Sequence, residues 1–322
     1  MSLTAGTGPF GEKPAGRFNF TPDPPGAAIY WEPVPVRIRA LVDGQTVADS
    51  RGVHLLHETG HLPVWYFPQA DVREDVLVPS DKRTRCPFKG EASYRSLRVG
   101  SRFVADAVWT YEEPLDSVAF IAGYLAFYWD KVDVWLVEDT PAVAHPRDPY
   151  HRIDVYDTSR HVRVLLDGEV LADSVNAKVL VETGLPPRFY LPHRDVQMRL
   201  LEPSETTTQC AYKGTASHFG ALGHDDVAWT YAEPLHDGEP VRELIAFYDD
   251  RVELELDAPA EAESHHPGLV ERLVAEEHHM EAIAKEGYEP ATMPILLVVI
   301  AVAVGVIVVI ALAVSITVYY LA

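Results

Sequence analysis

The chain carries one sequence twice. Glu58-Thr59-Gly60 returns as Glu182-Thr183-Gly184, and Cys86, Lys89 and Gly90 return as Cys210, Lys213 and Gly214, all at an offset of 124. Across residues 58–93 and 182–217, 17 of 36 positions are identical without a gap. Further on the offset falls to 120, where Trp109-Thr110-Tyr111 matches Trp229-Thr230-Tyr231 and Ala126-Phe127-Tyr128 matches Ala246-Phe247-Tyr248. Four residues are therefore lost between Arg98 and Asp226, in a Gly-containing, hairpin-like stretch. A duplication of this kind requires each copy to bury its own core, so the fold divides into two like domains. The expected organisation is an N-terminal arm (1–29), a first repeat domain (30–138), a linker (139–154) and a second repeat domain (155–257).

Within each copy the apolar pattern has period two. Val36, Ile38 and Ala40 alternate with Arg37 and Arg39, and Asp43-Gly44 follows as a primed hairpin turn that Asp167-Gly168 repeats. Ala246-Phe247-Tyr248, a turn at Asp249-Asp250 and the alternation from Val252 to Leu256 predict a closing hairpin. Pro and Gly interrupt residues 60–90 too often for a helix of ordinary length, and only Leu115 to Gly123 has room for a short one. The fold class is thus all-β, as two tandem small antiparallel domains.

Residues 258–322 differ in character. Pro267 to Gly287 reads as a helical stalk within residues 258–290, with Leu269, Val270, Leu273, Val274, Met280 and Ile283 on one side. Ile295 to Ala322 runs 28 residues without a charge. As a helix it would reach ~42 Å against a hydrocarbon core of ~30 Å, which predicts a transmembrane helix over residues 291–322 and the lipid bilayer as a partner. With no signal-peptide pattern among the first thirty residues, the expected location is a single-pass membrane protein with its β domains in the cytoplasm. His265, His266, His278 and His279 beside Glu residues raise a metal site, but adjacent His point to different faces of a helix, which favours a solvated stalk.

The charge and the cysteines exclude some functions. With 48 Asp and Glu against 27 Lys and Arg, the net charge is −21, the wrong sign for neutralising phosphates, so no nucleic-acid partner is expected. Two cysteines, Cys86 and Cys210, cannot build a disulfide scaffold or a four-cysteine zinc site, and the metal expectation is none.

The ordered series Glu58-Thr59-Gly60, Pro79-Ser80, Cys86-Pro87-Phe88-Lys89-Gly90-Glu91-Ala92-Ser93 and Trp109-Thr110-Tyr111-Glu112-Glu113-Pro114 resembles the family called domain of unknown function 427. Copy two resembles it through Glu182 to Pro192 and Cys210-Ala211-Tyr212-Lys213-Gly214. The resemblance implies a small all-β domain of the β-tent type, in which two antiparallel sheets meet at an angle. Some proteins of that type bind zinc through paired cysteines, which this chain lacks. The family is sometimes labelled nucleotidyltransferase-like, and its activity is unassigned.

Several repeated residues have chemistry to offer. Cys86 and Cys210 stand three residues before Lys89 and Lys213, where a cation would favour a reactive thiolate; the alternative is a small buried residue beside a Gly turn. Copy one adds a basic strip at Lys82, Arg83 and Arg85. Glu58 and Glu182 end a strand as general-base or ligand-acceptor candidates, or else accept backbone N–H bonds in the Thr-Gly turn. Trp109, Tyr111 and Glu113, with Tyr66, and their counterparts Trp229, Tyr231, Glu233 and Tyr190, would line an aromatic pocket for a flat or sugar-like small molecule, or pack the core. The leading expectation is a membrane-anchored pair of ligand-binding or interaction modules. The second is an enzyme on a nucleotide-like or other anionic substrate, with Lys89 and Lys213 on the anion and Glu58 and Glu182 as acid/base groups. The third is a membrane scaffold. No cofactor follows from these residues.

Overall fold

Asp43-Gly44 and Asp167-Gly168 fix the first hairpin of each copy. The computed structural model describes residues 28–257, together with residues 2, 4, 8–10, 13–14 and 16–20. In it both turn residues have positive φ, 50° and 70° in copy one and 51° and 82° in copy two. That is the primed geometry whose twist matches the strands it joins. Ile38–Val42 then pairs antiparallel with Gln45–Ser50, and Val162–Leu166 with Glu169–Ser174, each with a bulge at the same place.

Each copy holds two antiparallel sheets. In copy one the larger sheet has seven strands in the order Ile29–Pro33, His54–Glu58, Val64–Pro68, Tyr124–Phe127, Arg102–Thr110, Gly90–Val99, Leu77–Cys86. Copy two repeats this order from Ile153–Asp157 to Leu201–Cys210. The smaller sheet joins the first hairpin to Val134–Val137 in copy one and to Glu253–Leu256 in copy two. The offset change falls in one hairpin, where Gly90–Val99 and Arg102–Thr110 are each two residues longer than Gly214–Ala221 and His224–Thr230.

Period-two alternation gives the larger sheet two different faces. Leu55, Trp65 and Phe67 turn to the main core shared with the smaller sheet, where they meet Ile38, Ala40 and Val42. Leu56 and Tyr66 turn the other way, into a second cluster with Tyr94, Tyr111 and Ala126, flanked by Trp109 and Tyr128. Leu180, Tyr190, Trp229 and Tyr231 form the corresponding cluster in copy two. The aromatic residues singled out in the sequence therefore sit on the face that the main core does not use.

The closing hairpin is a correction. Ile245–Phe247 pairs with strands of the larger sheet, whereas Glu253–Leu256 pairs with Val162–Leu166 in the smaller one. The intervening turn carries the chain from one sheet to the other, a choice that alternation alone does not encode. Among the described residues helix is confined to 3₁₀ turns; Asp116–Ile121 occupies the interval where a short helix had room, and His236–Val241 is its counterpart. Among the described residues no helix is long and apolar enough to cross a membrane. The stalk, its histidines and the membrane helix expected over residues 258–322 lie outside the described residues.

Candidate functional site

The two most buried charges of the repeat motif find each other. Glu58 ends the strand His54–Glu58, and Lys89 lies in the turn Pro87–Lys89 between two strands at the far side of the sheet order. Lys89 Nζ donates to Glu58 Oε2, with the residues 7% and 8% exposed, and Lys213 donates to Glu182 Oε2 in the same way. Burying either charge alone would be costly, so each pair has to form for its turn to pack. The Glu58 carboxylate thus takes a lysine, in place of the Thr-Gly backbone N–H bonds weighed from the sequence.

Gly90 explains why the lysine can reach. Its φ is +102°, and a Cβ there would lie 3.4 Å from the Glu113 carbonyl oxygen and 3.5 Å from the Leu115 nitrogen. Leu115 N–H donates to the Lys89 carbonyl oxygen at 3.1 Å, closing the Glu113-Pro114-Leu115 segment over the turn. Gly214 repeats this at φ +98°. Glu113 and Glu233 contribute through backbone at this crossing, and both residues are exposed.

Beside the pair in copy one lies a cavity of about 730 Å³. Glu58, Tyr66, Cys86, Lys89, Trp109 and Tyr111, six of the seven copy-one candidates, line it, and Glu113 does not. Trp109 Nε1 donates to Tyr66 Oη at 3.4 Å, and the Trp109 ring lies 4.8 Å from that of Tyr128. Burial pushes the Tyr66 and Tyr111 phenols far up and Tyr128 up to about 12, so all three stay neutral hydrogen-bond donors near pH 7. Three tryptophans, Trp65, Trp129 and Trp135, add to the wall, their ring centres 5.2, 5.5 and 5.7 Å apart. Cys86 is half-buried at the edge of the aromatic cluster, while Cys210 Sγ accepts the Lys213 N–H at 3.4 Å.

Copy two keeps the skeleton and changes the filling. Trp229 Nε1 donates to Tyr190 Oη at 3.3 Å, as in copy one. Arg188, standing where copy one has Val64, covers the Trp229 ring at 5.4 Å and is held by the Phe247 carbonyl at 3.1 Å and by Asp249. His218 replaces Tyr94, and its Nδ1 is buried without a hydrogen-bond partner. Burial holds its pKa below the ordinary value.

The linker supplies residues that the sequence reading missed. Ala144, His145 and Pro146 border the copy-one cavity. Asp148 N–H donates to Tyr212 Oη at 2.7 Å, Arg147 pairs with Asp237, and Tyr150 Oη donates to Glu32 at 3.0 Å, so the linker is tied to both copies. His57, wholly buried, bonds Glu32 through Nε2 at 2.7 Å, and its Nδ1 has no hydrogen-bond partner. His151 Nε2 donates to Glu182 Oε1 at 2.9 Å, and its ring lies on that of Tyr212 at 4.2 Å. Burial opposes ionisation of Glu182, but the His151 bond and the Lys213 charge outweigh it and hold the carboxyl below its usual range. Repeat alignment could have flagged Tyr128, which returns as Tyr248; nothing periodic marks His151. Among the described residues no group of three or more His, Cys, Asp and Glu side chains is placed to hold a metal.

The model of one family, described as a domain of unknown function (DUF427), matches residues 30–138 and again residues 154–258. No curated protein matches the chain.

Proposed function

The chain belongs to the DUF427 family through two tandem copies, and from that premise we propose that copy one is a binding module for a small, flat, uncharged ligand. The observation that carries this is the cavity of about 730 Å³ lined by the Glu58–Lys89 pair and an aromatic wall. Its volume falls in the ~300–1,000 Å³ range of small-molecule sites, and its lining joins polar side chains to a largely aromatic and aliphatic wall. An enzyme reading with Lys89 gripping an anion is less well supported, because the ammonium is already neutralised by Glu58. A side-by-side pair offers both donors and an acceptor, which suits a neutral polar edge better than a phosphate.

Two finer readings accompany this one. The two sheets of each copy around a shared core are compatible with the β-tent arrangement. The charge-free stretch Ile295 to Ala322 would anchor the module at a bilayer.

A thermal-shift panel of flat heterocycles, sugars and nucleotides on the full chain in detergent tests the binding reading. A ligand at about 100 times its Kd stabilises the domain by ~2.7 kcal/mol, and Trp109→Ala is expected to abolish that shift while the unliganded melt stays cooperative. A nucleotide response that survives Trp109→Ala and is lost in Lys89→Met would favour the enzyme reading instead.

A further inference from the structure

The two copies treat the same carboxylate differently. In copy two both oxygens of Glu182 are engaged, Oε2 by Lys213 and Oε1 by the N–H edge of the His151 ring. That ring lies flat on Tyr212, with an interplanar angle of 26°. Its other nitrogen, Nδ1, is 3.2 Å from the Ser2 hydroxyl. A linker residue therefore sits in copy two as a planar ring that donates one N–H to the carboxylate and stacks on the aromatic residue before the lysine.

Copy one has the same seat, and among the described residues none fills it. The chain alignment at this point is fixed by matching hydrogen bonds: Thr59 N–H donates to the Ala28 carbonyl at 3.1 Å and Thr183 N–H to the Arg152 carbonyl at 3.0 Å. Ala28 N–H meets Thr59 Oγ1 at 3.1 Å, as Arg152 N–H meets Thr183 Oγ1 at 2.9 Å. Ala28 thus corresponds to Arg152, and in the sequence His151 is matched by Ala27, a residue type with no side-chain donor. Glu58 Oε2 takes Lys89, and among the described residues none bonds Oε1. Phe88 stands where Tyr212 stands, but it is 47% exposed, against 5% for Tyr212. Glu58, Phe88 and Lys89 all line the cavity.

We propose that the copy-one site takes a free planar N–H heterocycle of the azole class, which donates to Glu58 Oε1 and stacks on Phe88 as His151 does on Tyr212. This rests on the binding reading above and adds the ligand's chemical class. It also makes copy two a site closed by the chain's own imidazole.

The test uses benzimidazole and 1-methylbenzimidazole, which share shape and stacking but differ in the N–H, titrated by calorimetry into the full chain in detergent near pH 7.5. The expected result is saturable binding of one benzimidazole per chain, at least about tenfold weaker binding of the methylated compound, and weaker benzimidazole binding by the exposed-site variant Phe88→Ala. His151→Ala, which vacates the second seat, is expected to raise the stoichiometry to two. Equal affinity for both compounds would leave the flat-ligand reading standing and overturn the N–H assignment. Uptake by His151→Ala of one equivalent that the wild type does not bind would confine the seat to copy two and overturn the transfer to copy one. Saturable binding by neither protein overturns the azole assignment, and the ligand panel above then decides the binding reading.

Discussion

Replacing Lys89 by Met removes one partner of a buried ion pair while keeping most of the side-chain volume. Glu58 is 8% exposed and has no second protein donor among the described residues, so its charge would be left uncompensated in an apolar surround. Losing one partner of such a pair costs roughly 3–5 kcal/mol, a large share of the ~5–15 kcal/mol that holds a typical domain together. The same change in copy two, Lys213→Met, leaves Glu182 with the His151 bond at 2.9 Å. A hydrogen bond to a charged group contributes about 1.5–3 kcal/mol, so Lys213→Met should be milder by about 2 kcal/mol. Removing both charges of copy one together, Glu58→Leu with Lys89→Met, should recover most of the loss, because no charge is then left buried alone. Urea unfolding followed by tryptophan fluorescence is suited to this comparison, since five of the six tryptophans (Trp31, Trp65, Trp109, Trp129 and Trp135) belong to copy one. Copy two is followed by hydrogen exchange. Equal losses from the two lysine changes, or a double variant no more stable than Lys89→Met, would refute the reasoning.

Other perturbations follow from the repeat. His218, buried and held below its ordinary pKa of 6.5 by desolvation, folds neutral, so the stability it permits is complete above pH 6.5 and falls as the pH drops through its folded value. His218→Tyr, the residue copy one has there, should remove that part of the acid sensitivity, as read from urea midpoints between pH 7 and 5. For Glu182, whose pKa is depressed, the stabilisation is present above about 4.5 and is lost as the pH falls below it. The stability gap between wild type and Glu182→Gln should therefore narrow as the pH falls below about 4.5, and a gap that does not change with pH would assign the effect to packing. Gly90→Ala and Gly214→Ala each force a side chain into the left-handed region against neighbouring backbone and should each cost more than about 1 kcal/mol, with Gly214→Ala the costlier because its Cβ would lie 3.1 Å from Leu235 N. Equal thermal melts for both variants and the wild type would count against the proposed crossing.

Much of this was legible from local signals. The duplicated spacing exposed the repeat, and Asp-Gly between alternating residues specified a turn that needs nothing beyond its own four residues. The closing strands were misread because alternation says that Glu253–Leu256 has two faces without saying which sheet it joins; that depends on pairing with Val162–Leu166, some ninety residues earlier in the chain. Glu113 was placed in the pocket by extending the face of Trp109 and Tyr111 two residues further, past the end of the strand at Thr110. Lys89 was read beside Cys86, its neighbour in sequence, whereas its buried partner is Glu58, which only the sheet order brings within reach. His151 was invisible for a related reason: an imidazole in a linker has meaning only once Glu182 and Tyr212 are seen around it.

The linker's double attachment bears on how the protein can be divided. A fragment cut at the end of the first family match, residue 138, would lack Ala144, His145 and Pro146 and with them part of the rim of its own cavity. It would also lose Asp148 and Tyr150, which contact the neighbouring pair His57 and Glu32. Asp148 is in turn held by Tyr212 of the second copy, and Arg147 by its Asp237. Duplication has in this sense not produced two interchangeable units. The linker belongs structurally to both halves, and a cut at residue 138 leaves the first copy without its share of those contacts.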